Sequence, residues 1–257
     1  MPWIELEGAV NVRDLGSMPT SDGGKTVGGR LLRGDNLQEL SPADIAILVR
    51  DVGLTTVIGL RSTAELASEG PAPLDAIGSV RHLHLPVLPE RGHATDMVED
   101  VLLTRDDADR SRFPGNPRAG HYLGYLEDRP GQVVDALLAI ADADGAALVH
   151  CAAGKDRTGV VVALALTAVG VRADAVIADY AATAERTDAI LERLRRSPTY
   201  AIDVMRRPAD SHRPRPETMT AFLEQIDARY SGVVPWLREH GFSAADMDRL
   251  HARLRQA

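Results

Sequence analysis

One cysteine, Cys151, in 257 residues leaves no pair for a disulfide within the chain. That fits a reducing compartment, or a thiol kept for its reactivity. Aromatic residues make up only 4%, so the core has to be built mainly from Ala, Leu and Val, a composition that favours helices. Long apolar runs are missing. The longest, residues 160–169, falls well short of the roughly 20 needed to cross a bilayer. Residues 1–10 contain Glu5 and Glu7 but no Lys or Arg, unlike the basic start of a secretory signal, so a cytoplasmic location is expected. An excess of positive charge is also lacking. A net charge of −8 argues against nucleic acid as a partner, because a phosphate backbone demands a basic surface.

What is present describes an ordered globular chain. Apolar residues reach 44% and charged residues 26%, ordinary values for such a protein. The length suits one domain over residues 1–257, large enough to do without a disulfide staple. Short apolar segments at 4–6, 31–33, 55–60, 80–85 and 146–150 predict strands. Ser41-Pro42 opens a helix with Ile45, Leu48, Val49 and Val52 on its buried face and Gly53 as its stop. Pro130-Gly131 opens another, with Val133, Val134, Leu137, Leu138 and Ile140 inward. Strands alternating with helices predict an α/β fold with a mostly parallel central sheet flanked by helices. Beyond Gly159 only helices are expected, near 174–184, 188–196, 217–230, 233–240 and 244–255. Residues 91–120 and 206–216 read as irregular connections, the first long enough to be functional.

The segment His150-Cys-Ala-Ala-Gly-Lys-Asp-Arg-Thr-Gly159 sits between an apolar strand and an apolar helix. That setting converges backbone N–H groups and a helix N-terminus on one point, an arrangement that favours an anion. There a thiol pKa of about 8.5 can fall to roughly 3.5–7.5. A drop of ~3 units is worth about 4 kcal/mol of thiolate stabilisation. Arg157, six positions on, offers the planar fork that matches a phosphoryl group, which Lys would not. Gly154 gives the backbone its freedom where a ligand approaches. The Thr158 hydroxyl is expected near the sulfur, or as the cap of the following helix. This pattern predicts a cysteine-dependent phosphatase loop in which Ala152, Ala153, Gly154, Lys155 and Thr158 surround the phosphate.

The segment resembles the active-site loop of bacterial PtpB-type tyrosine phosphatases. So do Asn11-Val-Arg-Asp-Leu-Gly16, Leu32-Arg33, Leu60-Arg61-Ser62, Gly170-Val171, Asp179-Tyr180, Tyr230-Ser-Gly and Trp236-Leu-Arg-Glu, which extend the likeness over nearly the whole chain except 91–120. The resemblance implies a phosphatase fold with a helical lid, supplied by residues 172–257, and neither metal nor cofactor. It implies Cys151 as nucleophile, Arg157 as clamp, Asp156 as general acid and Lys155 as added positive charge. Phosphotyrosine proteins or small phosphate esters are the implied substrates, with inorganic phosphate as product. Phosphoinositides, or a phosphate-binding module without turnover, are the alternatives. Better-known tyrosine phosphatases take their acid from an aspartate after an upstream strand, but 85–90 holds none. Glu90 is the second candidate and Asp96 the third.

Several other residues are weighed beside these. Asn11, Arg13 and Asp14 are expected to brace the pocket floor. Arg61 either helps bind substrate or pairs with Glu65. His150 is expected to fix the loop rather than carry protons. His82 and His84 share one strand face, which is poor evidence for a metal. Tyr122 and Tyr125 either line the pocket mouth or pack a helix. Arg193, Arg195, Arg196, Arg206, Arg207, Arg213 and Arg215 form a basic cluster. Its plainer reading is a solvated surface, and its sharper one is a site for anionic lipid headgroups.

Overall fold

The computed structural model describes residues 3–88, 115–206 and 208–256. Glu90, Asp96, Arg207 and most of 91–120 lie outside them. The strands are β1 (Arg13–Asp14), β2 (Leu31–Gly34), β3 (Leu54–Gly59), β4 (Arg81–His84) and β5 (Ala146–His150). They form one sheet in the order β1-β2-β5-β3-β4, parallel throughout except for the β1–β2 pair. β5 is central and buried at every position. The segments following β2 and β3 therefore flank the one that follows β5. In open α/β sheets, ligands bind in this crevice beyond the strands' carboxyl ends.

One face carries α1 (Pro42–Ala46), prolonged by a wider π-type turn over Ile47–Asp51, and α2 (Thr63–Glu69). Ser41 caps α1 as its sequence predicts, accepting from Asp44 N while the Asp44 carboxylate bonds back to Ser41 N. Leu48, Leu54, Val57 and Leu148 share the core on this side, and Gly53 ends the turn at φ +75°. The other face carries α3 (Pro117–Asp128), α4 (Pro130–Asp142) and α5 (Asp156–Ala168). Then come α6 (Ala173–Ala182), α7 (Thr187–Arg196), α8 (Ala201–Met205), α9 (Pro216–Tyr230), α10 (Val233–Glu239) and α11 (Ala244–Leu254). α5 is buried almost all round, as a helix apolar on every side must be. It forms the larger core with Tyr122, Leu137, Phe222 and Trp236.

Three expectations change. Residues 4–6 form no strand: Trp3 makes one isolated bridge to Arg13 and Ile4 N donates to Val12 O, but Glu7 N and Gly8 N go to the Asp44 carboxylate, each at 2.8 Å, instead of a ladder. Arg13–Asp14, which is not among the predicted strands, pairs with the β2 edge. Its polar side chains hide the alternation that marks a strand. α3 begins inside the expected irregular segment, since Asn116 accepts from Ala119 N at 3.1 Å and Pro117 fills the first helical position.

Asp44→Ala strips the acceptor from three backbone donors, Ser41 N, Glu7 N and Gly8 N. Urea unfolding should register a loss of about 2 kcal/mol or more.

Candidate active site

From His150 the chain curls through Cys151 to Lys155 before α5 begins at Asp156. Gly154 permits the curl. Its φ is +67°, and a Cβ there would lie 2.5 Å from the Gly34 carbonyl oxygen. The loop carbonyls are held from outside. Ala152 O accepts from Asn36 N (2.9 Å), Ala153 O from Asn11 Nδ2 (2.8 Å) and Gly154 O from Arg33 Nη2 (2.6 Å). These peptides are trans, so each following N–H, of Ala153, Gly154 and Lys155, points the opposite way, into the loop. Three inward donors between a thiol and a helix N-terminus are what an oxyanion needs.

The braces are themselves fixed by an ionic bracket. Arg33 Nη1 reaches Asp179 at 2.5 Å, and Arg13 Nε reaches the other Asp179 oxygen at 2.8 Å. Arg13 Nη1 also donates to Asn11 Oδ1 at 2.7 Å. All four side chains are buried. Burial alone would raise the Asp179 carboxyl, but the two guanidiniums outweigh it and hold it below its usual range. Arg13 falls to about 10 through burial and repulsion from Arg33, against the pull of Asp179. Asn11 and Arg13 thus brace the loop as expected. Asp14 does not: its carboxylate holds Gly16 N and Gly29 N, away from the pocket floor.

Arg157 is fully buried and makes a two-pronged pair with Glu65, at 2.6 and 2.8 Å. Of the two readings of Arg61, this removes the pair with Glu65. Glu65 is placed by a capping box, in which its carboxylate takes Ser62 N at 2.7 Å, and the box turns it inward. Burial pushes its carboxyl up, but the Arg157 charge and hydrogen bonds overcome this and hold it at about 2. Glu65 Oε1 also accepts from Tyr200 Oη at 2.8 Å. Tyr200 joins Ile190, Leu191, Leu194 and Val204 in an apolar cluster with Ala152, and Ala153 packs against it. α7, α8 and the segment between them therefore roof the loop, and Cys151 has no exposed surface.

Asp156 is buried, accepts a hydrogen bond from Tyr122 Oη and lies 3.3 Å from Lys155 Nζ. Burial raises its carboxyl, but the charges of Lys155 and Arg118 and the Tyr122 bond bring it down to about 2. It is ionised at neutral pH. Tyr122 Oη also meets Tyr180 Oη at 2.8 Å. Tyr122 thus holds the Asp156 carboxylate from within α3. Lys155 Nζ spends a further bond on His212 O at 2.9 Å. Thr158 lies inside the first turn of α5, so it is not the cap; its buried Oγ1 has no partner among the described residues. His150 is buried and falls to about 3, chiefly by burial and then by the Arg61 charge. It is a neutral ring, not a proton carrier at neutral pH. Arg61 donates to Asn36 Oδ1 (3.2 Å) and Gln38 Oε1 (3.0 Å) instead.

Asp179, Glu65 and Tyr200 escape the sequence reading as functional side chains. Asp179 and Arg33 appear there only as points of family resemblance. Ser62-x-x-Glu65 carries a visible signal, the capping box, but not the cation that the carboxylate meets.

Glu65→Gln leaves the Arg157 charge buried without a counter-ion. A stability loss of about 3–5 kcal/mol at pH 7 is expected. Glu65 has a depressed carboxyl, so its contribution is present above its unfolded value of about 4.3 and fades as pH falls towards 2. Chemical denaturation across pH 7 to 2 should show the wild type and the variant converging at the acid end.

Residues 4–256 match the family model described as the tyrosine phosphatase family. The chain is 30% identical to the triple specificity protein phosphatase PtpB of Mycobacterium tuberculosis, over 97% of this chain and 98% of that one. A tyrosine-protein phosphatase of Nostoc commune shares 31% identity over 84% of this chain and 76% of its own. A putative tyrosine-protein phosphatase of Cupriavidus necator shares 32% over 68% and 61%. With a thiol, an inward-facing amide loop and a guanidinium already assembled on the carboxyl edge of the sheet, and matches of this extent, the chain belongs to the tyrosine phosphatase family.

Proposed function

We propose that Cys151 Sγ attacks the phosphorus of a phosphotyrosine side chain, forming an S–P bond as the P–O bond to the phenol breaks. Arg157 and the N–H groups of Ala153, Gly154 and Lys155 hold the equatorial oxygens through the in-line transfer. Water then cleaves the phospho-cysteine, releasing inorganic phosphate and restoring the thiolate. The observation that carries this reading is the loop whose three successive carbonyls, of Ala152, Ala153 and Gly154, are tied outward, with the chain's one thiol at its start. Residues 172–257 act in the same unit, α7 and α8 as a lid and the later helices as its footing.

Asp156 is the proposed proton donor to the leaving phenolate. It is held ionised, so the proton arrives with the substrate, as the phosphate monoanion. Transfer to Asp156 on binding and onward to the phenolate balances the step. A phosphate ester loses its second proton near pH 6. kcat/KM should therefore fall as pH rises past that value, although Asp156 itself titrates far lower.

The broader class of phosphate esters is supported by the words triple specificity in the name of the Mycobacterium tuberculosis relative. A preference for lipid headgroups draws less support. Lys155 is bonded to Asp156 and His212. In the basic cluster, Arg193, Arg195, Arg196, Arg213 and Arg215 each pair with a carboxylate.

Two substitutions test the scheme on p-nitrophenyl phosphate and phosphotyrosine peptide. Cys151→Ser should abolish turnover of both; retained phosphate release would remove Cys151 as nucleophile. Asp156→Asn should lower kcat by about 10²–10⁴ on the peptide and much less on p-nitrophenyl phosphate, whose leaving group needs little protonation. Equal losses on the two substrates would deny Asp156 the acid's role. Tight peptide binding with no phosphate release by the wild type would favour a binding module instead.

A further inference from the structure

Aromatic residues are scarce in this chain, yet Tyr125, Tyr180 and Phe222 gather around Tyr122, the partner of Asp156. The Tyr122 ring stacks on Tyr125 at 5.9 Å and meets Phe222 and Tyr180 edge to face at 5.9 and 6.2 Å. These contacts hold the ring in place. Its Oη bonds Asp156 Oδ1 and lies 2.8 Å from Tyr180 Oη. A phenol has one proton to give, and an ionised carboxylate can only accept. Tyr122 therefore donates to Asp156, and Tyr180 donates to Tyr122. Burial, then the Asp156 charge, pushes the Tyr122 hydroxyl well above the usual tyrosine value, so it keeps its proton. Two helices, α3 and α6, thus occupy one oxygen of a carboxylate carried by a third, α5. The other oxygen, Oδ2, has Lys155 Nζ at 3.3 Å, and that ammonium also donates to His212 O at 2.9 Å.

We propose that Tyr122 and Tyr180 are positioning residues for proton transfer: they reserve Asp156 Oδ1 and so assign the travelling proton to Oδ2. This rests on the reading of Asp156 as the acid. An O–H bond forms at Oδ2 as the phosphate monoanion gives up its proton, and it breaks as the phenolate takes that proton. Both tyrosines keep theirs throughout. Without the Tyr122 hydroxyl, the proton settles on either oxygen and the carboxyl is free to turn. Some bound complexes then carry the proton out of reach of the leaving oxygen. The cost falls on leaving groups that need protonation and spares those that do not.

Turnover of phosphotyrosine peptide and p-nitrophenyl phosphate by Tyr122→Phe, Asp156→Asn and the double variant tests this. Tyr122→Phe keeps the ring and removes only the hydroxyl. It should lower kcat on the peptide by about tenfold to a hundredfold, the order expected for a misplaced reacting group. KM for the peptide and kcat on p-nitrophenyl phosphate should stay close to wild type. Added to Asp156→Asn, it should cost the peptide reaction nothing further, because residues that act as a unit do not add. Tyr180→Phe should show the same selectivity with a smaller loss, and it carries the test if Tyr122→Phe does not fold. Equal losses on both substrates, a full further loss in the double variant, or undiminished turnover of the peptide would each overturn the proposal. An Asp156→Asn variant that loses both substrates equally would instead remove the acid on which the proposal rests.

Discussion

Two guanidiniums and one carboxylate, packed out of water behind a ten-residue segment, set the shape on which the site depends. Arg33 reaches past Asp179 to the Gly154 carbonyl, while Arg13 steadies the Asn11 amide that holds the carbonyl of Ala153. A peptide group has two ends, and anchoring one orients the other. The amide donors that meet an oxyanion are therefore aimed by ion pairs on the far side of the backbone. Such pairs gain little over a well-packed apolar core, but losing one partner is severe. The bracket thus contributes uniqueness of geometry more than net stability. It also ties β1, β2 and α6 to the same few atoms of the loop.

Glu65 is the second point of convergence. Its four-bond environment joins the start of α2, the guanidinium of α5 and a tyrosine from the roof. A carboxylate buried this deeply stays charged only because every oxygen is occupied. The same residue therefore senses whether Tyr200 is in place and sets where Arg157 points. Roof and clamp share one carboxylate, so a shift in one changes the electrostatics of the other.

Much of this architecture is legible in the sequence, for identifiable reasons. β5, its loop and α5 stand out because an apolar strand, a Gly at the turn and an apolar helix all signal their own geometry. The helices α6, α7, α9, α10 and α11 follow from amphipathic spacing and cap residues to within two residues, whereas α8 is not among those expected. What stays hidden is long-range pairing among polar residues. Asp179 sits 166 positions from Arg13 and 146 from Arg33, and no local pattern links them. Glu65 reads as one alternative partner of Arg61, yet Arg61 precedes the Ser62 cap and lies off the helix. Asp14 is misassigned to the pocket because neighbours on a strand face opposite sides, and its side chain leaves Arg13's side of the sheet.

The roof over the loop has a chemical consequence. A low-pKa thiol is the side chain most easily taken to sulfenic acid and beyond by peroxide, and a nearby second cysteine is what usually rescues it. This chain has no second cysteine. The thiol proposed as its nucleophile has no exposed surface, and the next residue, Ala152, packs under the aliphatic side chains of α7 and α8. If α7 and α8 part to admit a phosphorylated side chain, the same opening admits oxidants, and the proposed lid then couples the rate of turnover to the lifetime of the enzyme under oxidative stress.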